Sequence, residues 1–357
     1  MNINSEFEIF LSNIEPDNIY VTQASDAHTT LRGFLKNDED FNTHFKSSFL
    51  TGSYARSTAI KEIKDVDIII ILDEEPTTIE PAIEISDIFK DLKKSLKKEY
   101  DIEQIEQQQR SVKLIWKFEK EVDNEKRQDN LTLDLVPAIR SEADSDYNLW
   151  IPDKKLEKWI KTNPKGHKEA ITTRNQESSS FNGRNSFIPF VKTLKFWRDH
   201  SYKIPKRPKG FLLESLAYEY FETCFDSWID CVLKNFKNIL TSCDKYKYIE
   251  SDENINFIKD IGQEGKYIST LTTYNDFKKF LEKLEDAKNQ IEDALDSTKT
   301  TNKYDCIKKL QNVFGNDYFP DPKESDKNVE NKSSSIQTVS ILTGSSKKPE
   351  AKPYGKA

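Results

Sequence analysis

The chain has 357 residues, of which 36% are hydrophobic and 32% charged, with a formal net charge of -7. That length supplies enough apolar chain for a substantial interior, in two packed lobes or one elaborated core. The acidic balance makes long DNA or RNA an unlikely partner, because neutralised phosphates supply most duplex affinity, and with no apolar run long enough to cross a bilayer and no basic-then-apolar leader a cytoplasmic protein without membrane association is expected.

In chain order, residues 3–14 carry Phe7, Phe10, Leu11 and Ile14 at helical spacing, and residues 22–36 carry Ala24, Ala27, Leu31 and Leu35. Both helices are expected to brace a sheet from behind. A Gly52-Ser53 turn and a short polar segment follow, then Lys64-Asp65-Val66-Asp67 leads into the aliphatic run Ile68 to Leu72. The run is β-branched and too short to stand as a helix, so it reads as a buried strand. After Pro81, the residues Ile85, Ile88, Phe89, Leu92 and Leu96 line one side of an amphipathic helix.

Residues 110–118 alternate Val112, Leu114, Trp116 and Phe118, and a charged loop leads to a second strand with Leu131, Leu133 and Leu135 on one face. Asp134 falls on the other face, where a carboxylate inside an aliphatic strand needs a partner: a metal ion, a backbone N–H or an arginine. Residues 141–186 are polar and poorly periodic and read as an irregular crossing. His167, with no second ligand at suitable spacing, reads as a surface or structural residue. A helical lobe begins near Phe187, with Val191, Leu194 and Trp197 inward, then a basic loop, a helix from Phe211, and helices at 228–241, 275–295 and 304–314, the last stopped by Gly315. Cys224, Cys231, Cys243 and Cys306 lack metal or disulfide spacing and are expected to be reduced. The expected division is therefore a catalytic core at 1–150, a crossing at 151–186, a helical lobe at 187–320 and a flexible tail at 321–357, whose composition cannot bury enough apolar area to order itself.

Asp65 and Asp67 are two apart on a strand, so they project to one face, and two carboxylates there ionise cheaply only beside a cation. Hard divalent ions take such carboxylates together with substrate phosphates. Gly52 lets the backbone approach an anion closely, and Ser53 begins the segment behind it.

The pattern G-S-x-A-R-x-T-x-I followed by D-V-D-I resembles the polymerase-β-type nucleotidyltransferases, and in particular the bacterial cGAS/DncV-like cyclic-oligonucleotide synthases (CD-NTases). The resemblance spans about residues 20–320. It implies an α+β fold, a mixed sheet with flanking helices and a C-terminal helical lobe, and an enzyme that makes cyclic di- or trinucleotides from NTPs, ATP among them, with pyrophosphate release. Two Mg²⁺ ions, or Mn²⁺, would be held by Asp65, Asp67 and Asp134, with Gly52, Ser53 and Lys195 on the triphosphate and Phe211 on the base. Gly210 stands where the family usually has serine, so a backbone N–H would replace that hydroxyl contact. The resemblance also implies anti-phage (CBASS) signalling, with a defence-operon regulator as a partner, or a ubiquitin-like transfer enzyme acting on the tail that ends PYGKA. Two other readings stay open: a template-independent RNA nucleotidyltransferase of CCA-adding or poly(A) type, and a catalytically silent nucleotide-binding module.

Overall fold

The computed structural model of the chain describes residues 2–61, 63, 65–122, 124–201, 207–223 and 226–327. Its centre is a mixed sheet of β1 (Phe45–Thr51), β2 (Asp65–Leu72), β3 (Ile105–Gln107), β4 (Val112–Val122), β5 (Glu125–Arg140), β6 (Leu149–Asp153) and β7 (Lys158–Thr162). The order is β1-β2-β5-β4-β3, with β6 on the far end of β5 and β7 beside β6. The pair β2 and β5 is parallel and the others are antiparallel. The helices are α1 (Asn4–Asn13), α2 (Asn18–Asn37), the single turn α3 (Gly52–Ala55), α4 (Ile85–Leu96), α5 (Pro164–Gln176), α6 (Phe187–Ser201), α7 (Gly210–Tyr220), α8 (Trp228–Cys243), α9 (Tyr274–Leu295) and α10 (Lys303–Phe314). A two-residue hairpin, β8 (Ser180–Phe181) and β9 (Arg184–Asn185), precedes α6.

Two large cores form, one on the sheet and one among the helices, while Ile69 and Ile71 of β2 join Ala138 and Leu149 in a small third core on the other face of the sheet. Val66, Ile68, Ile70 and Leu72 join Leu131, Leu133 and Leu135 beneath α2 and α4. The second core gathers α6 to α10 around Trp197, Trp228, Phe236 and Phe280. Helix α2 braces the sheet as expected, but α1 does not. Its Phe7 and Phe10 pack against Phe314 and Phe319, with the Phe7 ring 5.6 Å from Phe314 and 5.9 Å from Phe319. Helical spacing gave the buried face of α1 correctly; it carries no information about which core accepts that face.

Residues 141–186 are also not an irregular crossing. They contain β6, β7, α5 and the β8-β9 hairpin, and β6 extends the sheet through the pairs Ile139–Trp150 and Arg140–Leu149. The missed signal was Asn163-Pro164: the Asn163 side chain accepts from the Gly166 N–H, and proline occupies the first helical position. The charged loop after Phe118 is mostly strand, because β4 and β5 pair continuously out to Val122 and Glu125, with Asn124 taking the positive φ of 62° at the bend. Cys231, Cys243 and Cys306 are buried thiols, while Cys224 and the tail from 328, including PYGKA, lie outside the described residues. Among those described, no helix is long and apolar enough to cross a membrane.

Candidate active site

The site begins with strand register. In the parallel pair, Asp67 stands opposite Asp134, Asp65 opposite Thr132 and Val66 opposite Leu133. Residues in register on parallel neighbours point to the same face, so Asp65, Asp67 and Asp134 share the face away from the α2 and α4 core. Thr51, the residue before Gly52, pairs with Asp67 on the other side. The Gly52 corner is therefore delivered directly onto the carboxylate. Gly52 has φ of +72°, and a Cβ built there would lie 1.7 Å from Asp67 Oδ2. Only glycine satisfies both demands. The helix that follows is a single turn, and Gly52 and Ser53 at its start face the cavity.

Burial first, then the charges of Asp65 and Asp134, push the Asp67 carboxyl up to about 7, against the pull of Arg56. Burial and then Asp65 push Asp134 up to about 6, although Lys113 pulls the other way. The Ser111 hydroxyl bonds the Asp134 carboxylate, yet among the described residues nothing donates to its buried Oδ1. An orphaned carboxylate oxygen beside crowded acids, with oxygen as the donor, fits a hard divalent cation. Among the described residues no three His, Cys, Asp or Glu side chains are gathered into a set that could hold a metal by themselves. Mg²⁺ in general takes one or two protein carboxylates and completes its shell with water and phosphate oxygens.

The corner is tied to the helical lobe through Glu214 of α7, only 1% exposed. Its Oε2 accepts from Arg56 Nε at 2.7 Å, and its Oε1 accepts from Thr58 Oγ1 at 2.7 Å and from Lys195 Nζ at 3.1 Å. Lys195 also donates to the Thr58 carbonyl at 2.8 Å. Burial alone would raise the Glu214 carboxyl, but Arg56 and Lys195 outweigh it and hold it down to about 2. Lys195 is thus buried and held by two acceptors. Lys192 is buried as well, paired with Glu15.

These groups line one cavity of about 1050 Å³. Gly52, Ser53, Asp65, Asp67, Lys195, Gly210 and Phe211 all reach its wall; Asp134 lies beside Asp67 without reaching it. Gly210 opens α7 close to Lys195, with a Cβ there 3.3 Å from Lys195 Cε. The Phe211 ring sits between Arg56, 5.3 Å from its centroid, and His167, 4.9 Å away. His167 is structural rather than a surface residue: its Nε2 meets Asp260 Oδ1 at 2.6 Å, which pins α5 to the loop before α9. Residues that sequence reasoning left without a role include Arg56, Thr58 and Glu214, and the cavity cations Arg198, Arg207 and Lys209. Arg56 and Thr58 stood within the quoted motif, but nothing local to them points to a partner on α7.

Residues 1–175 match the Second Messenger Oligonucleotide or Dinucleotide Synthetase domain family. The chain is 31% identical over 313 residues to the cyclic AMP-AMP-AMP synthase of an Acinetobacter strain, covering 84% of this chain and 81% of that protein. It is 26% identical to a protein of Salmonella paratyphi B described as a "probable cyclic AMP-AMP-GMP nucleotide synthase", covering 92% and 95%. Among solved structures, Escherichia coli MS115-1 CdnC with ATP superposes with a TM-score of 0.66 at 17% identity, covering 89% of this chain and 98% of that one. At that identity the likeness shows the fold: the mixed sheet with flanking helices of the polymerase-β-like nucleotidyltransferases.

Proposed function

Because the chain belongs to the cGAS/DncV-like cyclic-oligonucleotide synthases, nucleotidyltransferases that act on NTPs, we propose that it builds its product on the face formed by Asp65, Asp67 and Asp134. The observation that carries this reading is the in-register pair of Asp67 and Asp134 on parallel strands, with Asp65 on the same face. Each step joins a 2′ or 3′ hydroxyl oxygen to the α-phosphorus of an NTP and releases pyrophosphate, and a last intramolecular step closes the ring. The family requires divalent cations, and Asp65, Asp67 and Asp134 are the residues that would hold them. Bound there, such ions supply Lewis acidity that lowers the acceptor hydroxyl pKa and neutralises charge on the α-phosphate and leaving group.

The chain's own groups then have separate tasks. Gly52 lets the triphosphate approach Asp67 without a side-chain barrier, and Ser53 holds it. Lys195, Arg56, Arg207 and Lys209 on the cavity wall offset the triphosphate charge. The first N–H groups of α7, at Gly210 and Phe211, have no partner within the helix and can serve the phosphates in place of a serine hydroxyl. The Phe211 ring offers an apolar face to the base.

The names of the Acinetobacter and Salmonella relatives support a product of three nucleotides that contains adenylate. CdnC has been solved in complex with a HORMA protein, which supports a regulator of that kind as a partner within an anti-phage defence system. Incubation with the four NTPs and Mg²⁺, followed by phosphatase treatment and mass spectrometry, tests the reading. The expected product is a phosphatase-resistant cyclic oligoadenylate-containing species; an RNA-dependent product, or none, would refute it.

A further inference from the structure

Among the described residues, Lys195 is the one cavity lysine whose ammonium is taken up inside the protein by a carboxylate that is itself almost wholly buried. At 6% exposure its Nζ donates to Glu214 Oε1 at 3.1 Å and to the Thr58 carbonyl at 2.8 Å. Two ordered acceptors in a low-dielectric setting hold an ammonium strongly. Gly210 gives the lysine room to lie this way, since a Cβ at that position would stand 3.3 Å from Lys195 Cε and 3.6 Å from Nζ. The same carboxylate anchors Arg56 and Thr58, and the Thr58 N–H in turn bonds the Ser53 carbonyl at 3.0 Å.

Resting on the synthase reading above, we propose that Glu214 is a positioning residue that competes with the incoming triphosphate for Lys195. Nucleotide binding then requires Lys195 to exchange the Glu214 carboxylate for phosphate oxygens, while Arg56 and Thr58 keep Glu214 satisfied and keep the Ser53 corner in place. Glu214 thereby lowers ground-state affinity and preserves the geometry of the reacting turn. Binding energy withheld from the ground state and geometry kept for the transition state are separable quantities.

The test is calorimetric titration with the α,β-methylene analogue of ATP and Mg²⁺, alongside steady-state kinetics with ATP. E214Q removes the charge at constant shape. It is expected to bind the analogue roughly fivefold to tenfold tighter, the scale of exchanging a charge-assisted hydrogen bond for the neutral one that Gln keeps, while kcat falls as Arg56 and Thr58 lose their anchor. In a K195M background the tightening should vanish. A folded E214Q that binds no tighter, or a gain that persists with K195M, overturns the proposal. Should E214Q not fold, the parent decides: the Lys195 ammonium 15N resonance, assigned by its absence in K195M, should shift when the analogue binds, and an unmoved resonance overturns the proposal. Failure of the unaltered protein to bind the analogue at all would instead refute the synthase reading and the proposal with it.

Discussion

Asp67 and Glu214 both line the same cavity, both are acids in poorly solvated surroundings, and their carboxyls are held on opposite sides of the ordinary value. Glu214 is met by Arg56, Lys195 and the Thr58 hydroxyl and stays ionised, held down to about 2. Asp67 has Asp65 and Asp134 as its nearest charges and is pushed up to about 7. Burial acts on both in the same direction, so the difference lies in the neighbours. An acid whose cations are built into the chain serves the fold. Acids gathered without a matching cation make the fold less stable, and that is tolerated where function supplies the missing charge.

The largest effect should come from emptying the second site. Asp65→Ala with Asp67→Ala is expected to lower product formation by roughly 10³-fold or more, the loss of several kcal/mol of charge stabilisation at the reacting phosphate. Far-UV circular dichroism should be unchanged, since Val66, Ile68 and Ile70 on the other face still hold β2. Removing Glu214 should act on the fold as well as on the corner it anchors. Glu214→Ala leaves Arg56 and Lys195 buried without their counter-charge and should cost about 3–5 kcal/mol of stability, read as a lower urea midpoint. If Glu214→Ala were as stable as the parent, the contrast between a structural and a functional acid would fail.

A third variant probes the corner that joins the two. Gly52→Ala places a methyl against Asp67 Oδ2 and forces a non-glycine residue to φ of +72°. The backbone penalty is about 1–2 kcal/mol, and displacing Asp67 by an ångström should lower kcat by roughly 10²-fold. A variant that lost stability and kept its kcat would separate Gly52 from the chemistry.

These contrasts were unequally legible in the sequence. The carboxylate face was readable because strand periodicity is local: Asp65 and Asp67 must share a face, and Leu131, Leu133 and Leu135 turn Asp134 to the other side of its own strand. Whether that side was the one Asp67 uses depended on the β2–β5 register, which the sequence does not print. Glu214 was hidden for a different reason. Within α7 it is one of two acids in a mostly apolar helix, and its three partners lie 19 to 158 residues away. The expectation that α1 braces the sheet failed likewise, since an amphipathic face specifies burial without specifying against what. The β6, β7 and α5 segment is the exception: Asn163-Pro164 was a local start signal, outweighed by the polar composition around it.

The smallest expected effect separates the two acids by pH alone. Asp67 and Asp134 have folded-state values raised to about 7 and about 6, above the ordinary carboxylate value. The folded protein therefore holds protons that the unfolded chain releases. Their contribution to stability is present below about pH 4 and is lost as pH rises through 6 to 7. Glu214 has the opposite sign, because its depressed carboxyl contributes above the ordinary value and loses that contribution as pH falls toward 2. In a chelator, Asp67→Asn should therefore melt above the parent at pH 8, by roughly 1–2 °C for each kcal/mol regained in a chain of this length, and with it at pH 4. Mg²⁺ with nucleotide should then raise the parent's melting temperature at pH 8 and leave the variant nearly unmoved, because a ligand stabilises only the form that binds it. A parent melting curve flat from pH 5 to 8 in chelator would mean that the three acids do not feel one another's charge.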